Sequence, residues 1–182
     1  MRKIVVALTA VGMILTIWAA FATAEEGAHQ FVGVSKCKTC HKSEAKGDQF
    51  GIWSASKHAQ AYEVLASEAA MAVAKEKGID NPQTSDQCLV CHVTGYAAPA
   101  EQKSESYDQT EGVGCEACHG PGSEYKNMKI MKDAAASIAA GLVIPTEETC
   151  VTCHNEKSPT FKGFKFEEAA KVIAHPNPAK EG

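Results

Sequence analysis

The chain has 182 residues, of which 45% are hydrophobic and 22% are charged, with 18 basic against 22 acidic residues and a formal charge of −4. This length suits one domain of ordinary size. The acidic balance, together with Arg2 as the only arginine, argues against nucleic acid as a partner, because phosphate recognition favours clustered basic side chains.

The N-terminal segment has the features of a secretory signal peptide. Two basic residues precede an apolar run at 4–21, and the small-x-small triplet at 22–24 is typical of a cleavage site. We therefore expect a signal peptide at 1–24 and a single mature domain at 25–182 in the periplasm or outside the cell. The alternative is an uncleaved membrane anchor, because the run approaches a bilayer-spanning length. No second apolar stretch follows, so no stable membrane insertion is expected after cleavage.

The mature chain is more acidic than the precursor. Removing the signal peptide takes away two basic residues and no acidic ones, which leaves 16 basic against 22 acidic residues and a formal charge of −6. This charge favours salt-sensitive docking against a basic patch on a redox partner, an electron donor or acceptor protein. A solvated acidic surface without a partner is the alternative.

Four copies of Cys-x-x-Cys-His follow, at 37–41, 88–92, 115–119 and 150–154, and they use all eight cysteines. This spacing is typical of covalently attached haem c, because two thiols add to the vinyl groups of one porphyrin and the histidine becomes the proximal iron ligand. A thioredoxin-like dithiol, a structural zinc site and a disulfide framework are the alternatives, but none of them requires a histidine after every second cysteine. The sequence thus predicts four haem c groups. The expected attachment and ligand residues are Cys37, Cys40, Cys88, Cys91, Cys115, Cys118, Cys150 and Cys153 with the proximal His41, His92, His119 and His154.

The segment between the first two motifs favours helix. Residues 49–77 are rich in Ala, Glu and Lys, with apolar side chains mostly on one face, and Gly78 is a suitable helix end. Asn-Pro at 81–82 begins a loop into the second motif, and the polar stretch 101–111 separates the second motif from the third.

The second half of the chain is also predicted to be helical. Ser123 can cap a helix at 124–140, Thr146 can start the short helix that delivers the fourth motif, and a last helix covers about 167–174. No sustained strand alternation occurs. Four haems leave about 40 residues each, too few to build a side-chain core around every cofactor. We therefore expect a mostly α, single-domain fold in which the haems form the core, with little or no β-sheet.

Three histidines remain as candidates for distal ligands. The chain has seven histidines, and the four proximal ones leave His29, His58 and His175, so at most three irons can be bis-histidine within one chain. His58 lies in the predicted long helix, His175 follows the last helix, and His29 lies near the chain start, where a solvated role is the alternative. Met128 and Met131 offer sulfur ligands, although methionine in a helix more often serves packing.

Four stretches resemble the tetrahaem cytochrome c-554 family. They are Val-Gly-Cys-Glu-Ala-Cys-His-Gly-Pro-Gly at 113–122, Cys-Leu-Val-Cys-His-Val-Thr-Gly-Tyr at 88–96, Lys-His-Ala-Gln-Ala at 57–61 and Phe-Lys-Phe-Glu-Glu at 164–168. The resemblance covers nearly all of the mature chain in order. It implies a mostly helical fold, haems in two stacked pairs, three bis-histidine haems and a five-coordinate, high-spin haem on the second motif.

The resemblance also implies two distal ligands by position. His58 would serve the iron bound by His154, and His175 would serve the iron bound by His119.

The chain departs from the family pattern at the distal ligand of the first haem. The family places a histidine about ten residues after the third motif, whereas 126–131 contains none. Either His29 or a methionine, for which we favour Met131, then serves the first iron. The family's long loop after the fourth motif is shortened here to 158–161, which puts an enclosed distal pocket in question.

These observations predict an extracytoplasmic protein that relays single electrons through four haems. One alternative is a reductase of a small nitrogen oxide at the open iron, with Tyr96, Tyr107 or Tyr125 as proton donors. Another is a subunit of a polymeric haem conductor, in which His29 is lent to a neighbouring subunit.

Overall fold

Short α-helices are the regular secondary structure of the described chain. The structure is a computed structural model that describes residues 28–177. Within this range no β-strand forms, and the one β-bridge joins Phe31 to Lys103. The mostly α prediction is therefore confirmed, while the predicted signal peptide lies outside the described residues. The helices are α1 Val34–His41, α2 Gln49–Ser54, α3 Glu68–Glu76, α4 Asp86–His92, α5 Cys115–His119, α6 Met128–Met131, α7 Ala134–Ala139, α8 Glu147–Val151 and α9 Phe166–Ile173.

The predicted helix at 49–77 is wrong in its middle. Helix α2 ends at Ser54, turns and a 3₁₀ segment at Glu63–Ala66 follow, and α3 begins only after Ser67. Ser67 has an extended backbone, and its side chain caps α3 by accepting from the Ala70 N–H (3.2 Å). A serine that caps a new helix interrupts the helix before it, and a prediction from composition alone does not detect this interruption. His58 consequently lies in a turn rather than on a helix.

The predicted helix at 124–140 is divided for the same reason. Asn127 caps α6 through the Lys129 N–H, and Asp133 caps α7 through the Ala136 N–H, both at 2.9 Å. Ser123 caps nothing, because its hydroxyl accepts instead from the backbone N–H of Gln30 (3.0 Å). Two short capped helices thus replace one long helix.

The last two predicted helices are confirmed. Thr146 and Thr149 form a reciprocal capping box at the start of α8, in which each side chain accepts from the other residue's backbone N–H. Helix α9 ends at Ile173, so His175 lies two residues beyond its end. Within residues 28–177 no helix is long and apolar enough to cross a bilayer.

The side-chain core of the described residues is small. Eight hydrophobic residues and Pro82 are buried there, and Leu65, Leu89 and Val93 form their main cluster, with Tyr62, Tyr96 and Tyr107 packed around it. Several large apolar side chains are instead exposed, the most extreme being Val172 at 80%. Single exposed apolar side chains are common, so the small size of the buried cluster is the more informative observation. The prediction that haem supplies the missing core is consistent with this distribution.

Candidate haem sites

Each Cys-x-x-Cys-His motif lies at a short helix. The first motif occupies the end of α1, the second the end of α4, the third all of α5, and the fourth begins in α8. In a helix, residues at i, i+3 and i+4 share one face, so both thiols and the imidazole of a motif project to the same side. The fourth motif leaves α8 after Val151, but the His154 N–H still donates to the Cys150 carbonyl (3.0 Å), which preserves this arrangement.

No disulfide joins the eight cysteines of the described chain. Burial raises the pKa of Cys91 to about 11 and also raises the pKa of Cys118 and Cys150, whereas interaction with Cys37 lowers the pKa of Cys115. A reactive redox dithiol requires a lowered pKa, because the thiolate is its nucleophile. Within residues 28–177, no group of three or more His, Cys, Asp and Glu side chains is arranged to hold a metal ion by itself. The lowered pKa of Cys115 is caused by Cys37, a cysteine of another motif, and not by the second cysteine of its own motif as in a redox dithiol.

Cysteines of different motifs approach one another in two pairs. Interaction with the Cys115 thiol is the main cause that raises the pKa of Cys37, and Cys153 contributes to the raised pKa of Cys91. Helix α1 also packs against α5. The first and third motifs thus form one pair, and the second and fourth form another.

A buried carboxylate joins the first and third motifs. Glu116, inside the third motif, is only 4% exposed. Its two oxygens accept hydrogen bonds from the backbone N–H groups of Val32 (2.9 and 3.0 Å), Gly33 (2.8 Å) and Gly122 (2.6 Å). Glu116 therefore fixes the segment that leads into α1 against α5.

A second carboxylate supports the start of α1. Glu111 accepts from the backbone N–H of Val34 (2.7 Å), the first residue of the helix, where a negative charge is favourable. Burial raises the pKa of Glu111, and this hydrogen bond opposes the shift. Gly33 has φ +83°, and a Cβ there would lie 2.7 Å from the Ser106 carbonyl oxygen. The absence of a Cβ at this position therefore allows neighbouring groups to lie close to the backbone before α1. The segment before α1 is thereby held by two carboxylates.

Two pairs of imidazoles lie with their ring centroids at a separation that would accommodate an iron between the rings. The ring centroids of His58 and His154 are 5.9 Å apart, and those of His119 and His175 are 5.7 Å apart. Metal–nitrogen bonds of about 2 Å place the centroids of two ligating rings roughly 6 Å apart. Burial lowers the pKa of His58, His119 and His175, which favours the neutral ring that binds a metal. These residues fit axial ligation of haem iron.

Three proximal rings have an acceptor at Nδ1. His41 pairs with Gln49 Oε1 (3.2 Å), His92 with the Ala61 carbonyl (2.5 Å) and His119 with the Val143 carbonyl (3.1 Å). An acceptor at Nδ1 selects the tautomer with the proton there and leaves the Nε2 lone pair for iron. The fourth proximal ring differs, because His154 stacks on Phe164 with centroids 4.9 Å apart.

The remaining candidate ligands are His29, Met128 and Met131. The His29 ring lies against Gly141, with its Cδ2 3.0 Å from where a Cβ on that glycine would be, and its Nδ1 is buried without a hydrogen-bond partner. The neighbouring backbone is anchored by Ser123, whose hydroxyl accepts from the Gln30 N–H, so His29 is not a solvated side chain on a free segment. Met131 ends α6 and is half-buried, whereas Met128 is 64% exposed. The assignment of the first iron's distal ligand stays a prediction.

Sequence reasoning missed Glu116, Glu111 and Gln49. Their partners are backbone groups or rings, and for Glu116 these partners include residues more than 80 positions away. No local sequence pattern predicts such contacts. The one feature of the sequence that pointed to Glu116 was its position inside a Cys-x-x-Cys-His motif.

Cys-x-x-Cys-His motifs on short helices, with the imidazoles of two motifs close to second imidazoles, are typical of a c-type cytochrome. The family model described as cytochrome c554 and c-prime matches residues 36–120. Cytochrome c-554 of Nitrosomonas europaea is 32% identical over 153 residues, which cover 74% of this chain and 62% of that relative. The chain belongs to the cytochrome c554 family. No solved structure matches it.

Proposed function

We propose that the protein is a periplasmic or extracytoplasmic electron carrier that relays single electrons through four covalently bound c-type haems. Each motif of 25–182 holds one haem through its two cysteines, and the following histidine is the proximal ligand. When bound, haem supplies a one-electron change at iron. The residues of the chain hold the haems, exclude water and set the affinity of each iron for its electron.

The observation that carries this proposal is the set of four Cys-x-x-Cys-His motifs at short helices, two of which, α1 and α5, pack against each other. Cys37 interacts with Cys115, and Cys91 interacts with Cys153. Cys150 also contributes to the raised pKa of Cys118, which links the third motif to the fourth. Because each haem edge is tied to its cysteines, these contacts favour a continuous relay in the order first, third, fourth and second haem. Electron transfer between neighbouring haems needs no reactive side chain.

The distal ligands follow from the facing imidazoles. We assign His58 to the iron of His154 and His175 to the iron of His119, in agreement with their ring separations. His29 or Met131 serves the iron of the first motif. No fourth spare histidine exists, so the iron of the second motif is left without a histidine on its distal side.

The partners of this relay are redox proteins that donate and accept electrons. The mature chain has an excess of acidic residues, and its basic residues are all lysines. Such a surface favours a basic docking patch on the partner and association that weakens with salt.

The reductase alternative has no supporting observation of its own. It requires proton donors at the open iron, and the candidate phenols already donate to other groups. Tyr96 donates to Asp86 Oδ1 (2.5 Å), Tyr107 to the Thr94 carbonyl (2.7 Å) and Tyr125 to the Gly120 carbonyl (2.6 Å). Electron relay is therefore the better-supported function.

A kinetic experiment tests the relay directly. Oxidised holoprotein is mixed in a stopped-flow instrument with less than one equivalent of a one-electron reductant, and the haem spectrum is followed. We expect the electron to redistribute among the haems by a first-order process that is independent of protein concentration. A redistribution rate proportional to protein concentration would contradict an internal relay. Rapid anaerobic consumption of nitric oxide by the reduced protein would instead support the reductase.

A further inference from the structure

The Gln49 side chain bridges two predicted haem sites. It is the first residue of α2 and is half-buried. Its Oε1 lies 3.2 Å from Nδ1 of His41, the proximal ligand of the first haem. Its Nε2 donates to the carbonyls of Lys46 (2.5 Å) and Pro176 (2.9 Å). Pro176 directly follows His175, the distal ligand assigned to the third haem.

The two carbonyls determine which way the amide points. Both can only accept, so the group that faces them must be the NH₂ of Gln49, and its oxygen must face His41. An amide oxygen only accepts, so Nδ1 of His41 carries the proton and Nε2 keeps its lone pair. The amide therefore selects the iron-binding tautomer of His41 and simultaneously anchors the chain beside His175.

The loop before α2 is shaped for this contact. Gly47 has φ +94°, and a Cβ there would lie 2.8 Å from both the Pro176 carbonyl oxygen and Gln49 Nε2. Only glycine leaves room for the two groups to meet. The glycine at position 47 thus allows the chain at Pro176 to lie close to this loop.

The second haem pair has a comparable connection. Nδ1 of His92 pairs with the Ala61 carbonyl, and Ala61 lies three residues after His58, the ligand assigned to the fourth haem. The two connections follow the same pattern. In each pair of haems, the proximal histidine of one haem is hydrogen-bonded to a group that lies close in sequence or space to the distal histidine of the other haem. Only in the first pair is that group a side chain, which makes it accessible to substitution.

We propose that Gln49 is a positioning residue that acts on two haems at once. On the first haem it sets the basicity of His41, because a stronger acceptor at Nδ1 makes the ring a better donor to ferric iron and lowers the reduction potential. On the third haem it holds His175 in place through Pro176. This inference rests on the proposed haem ligation.

Two substitutions separate these roles. Gln49→Glu keeps an acceptor for His41 and strengthens it, but it removes the donor to Pro176. Gln49→Leu removes both interactions. A glutamate suits the first turn of α2, because negative charge is favourable at a helix N-terminus, so this variant is expected to fold. Gln109→Leu, an exposed glutamine at the start of a 3₁₀ segment, is the matched control.

The readouts are a redox titration and the low-temperature paramagnetic resonance spectrum of each purified holoprotein. We expect the potential of the first haem to fall in Gln49→Glu and to rise in Gln49→Leu. A new high-spin signal from the third haem, with the change in that haem's own potential that accompanies ligand loss, is expected in both variants, and neither change is expected in Gln109→Leu. A first-haem potential that shifts in the same direction in both Gln49 variants, or potentials that match the control throughout, would overturn the inference. If Gln49→Leu fails to load haem, the sign of the shift and the high-spin signal in Gln49→Glu decide the question.

The haem content of the wild type is measured first. A wild type with fewer than four haems contradicts the proposed function itself, whereas a fully loaded wild type with unaltered Gln49 variants contradicts only this inference.

Discussion

Removal of the Glu116 carboxylate is expected to destabilise the holoprotein strongly. Glu116→Ala deletes the acceptor of three backbone N–H groups, those of Val32, Gly33 and Gly122, at a site that is 4% exposed. Each buried N–H left without a partner costs about 1–3 kcal/mol. Water that enters the vacated space recovers part of this cost, so we expect the free energy of unfolding to fall by about 3–5 kcal/mol.

Glu116→Gln gives a graded comparison. The amide keeps one acceptor oxygen but turns an NH₂ group toward backbone donors, so we expect a smaller loss of about 1–3 kcal/mol. Glu124→Ala is the matched control, because this glutamate is exposed and near in sequence, and surface substitutions usually change stability by less than about 0.5 kcal/mol.

The assay is guanidinium unfolding of the holoproteins, followed by far-ultraviolet circular dichroism and by haem absorbance. The midpoints should decrease in the order control, Glu116→Gln and Glu116→Ala. A Glu116→Ala variant within about 0.5 kcal/mol of Glu124→Ala would refute the role of this carboxylate in joining the two motifs.

Three further predictions concern ligands and pH. His58→Ala and His175→Ala should each convert one low-spin haem to high-spin, while Met71→Leu, at a 43% exposed position, should change no spin state in the resonance spectrum. Reduced wild-type protein should bind carbon monoxide at one haem, and His29→Ala should create a second site; an unchanged number would assign the first iron's distal ligand to another residue. Burial raises the pKa of Tyr107 to about 12, so its stabilising contribution is complete below pH 10 and is lost as the pH rises through about 12. In Tyr107→Phe, the free energy of unfolding should therefore fall less steeply than in the wild type as the pH rises from about 10 to about 12. An equally steep fall in both proteins would contradict the raised pKa of Tyr107.

The features that the sequence predicted correctly have local causes. The helix that begins the fourth motif depends on Thr146 and residues within one turn of it, and the last helix depends on a strongly periodic segment. The two long helices failed because Ser67 and Asp133 cap new helices in the middle of favourable composition. Helix propensity summed over a segment does not register one capping side chain.

The contacts that organise the site could not be predicted from the sequence. Glu116 binds backbone groups of a segment 83 and 84 residues earlier, and Gln49 reaches the Pro176 carbonyl across 127 residues. Such pairings depend on the folded arrangement of loops rather than on residue type or spacing. The motif residues could be predicted from the sequence because thioether attachment requires a fixed local spacing of cysteine and histidine.

The low-temperature paramagnetic resonance spectrum of the fully oxidised protein, integrated against its total haem content, tests the central claim most directly. We predict four haems per chain, three of them low-spin with two axial ligands and one high-spin at the second motif. Fewer than four haems, or four low-spin irons in a strictly monomeric protein, would contradict the account.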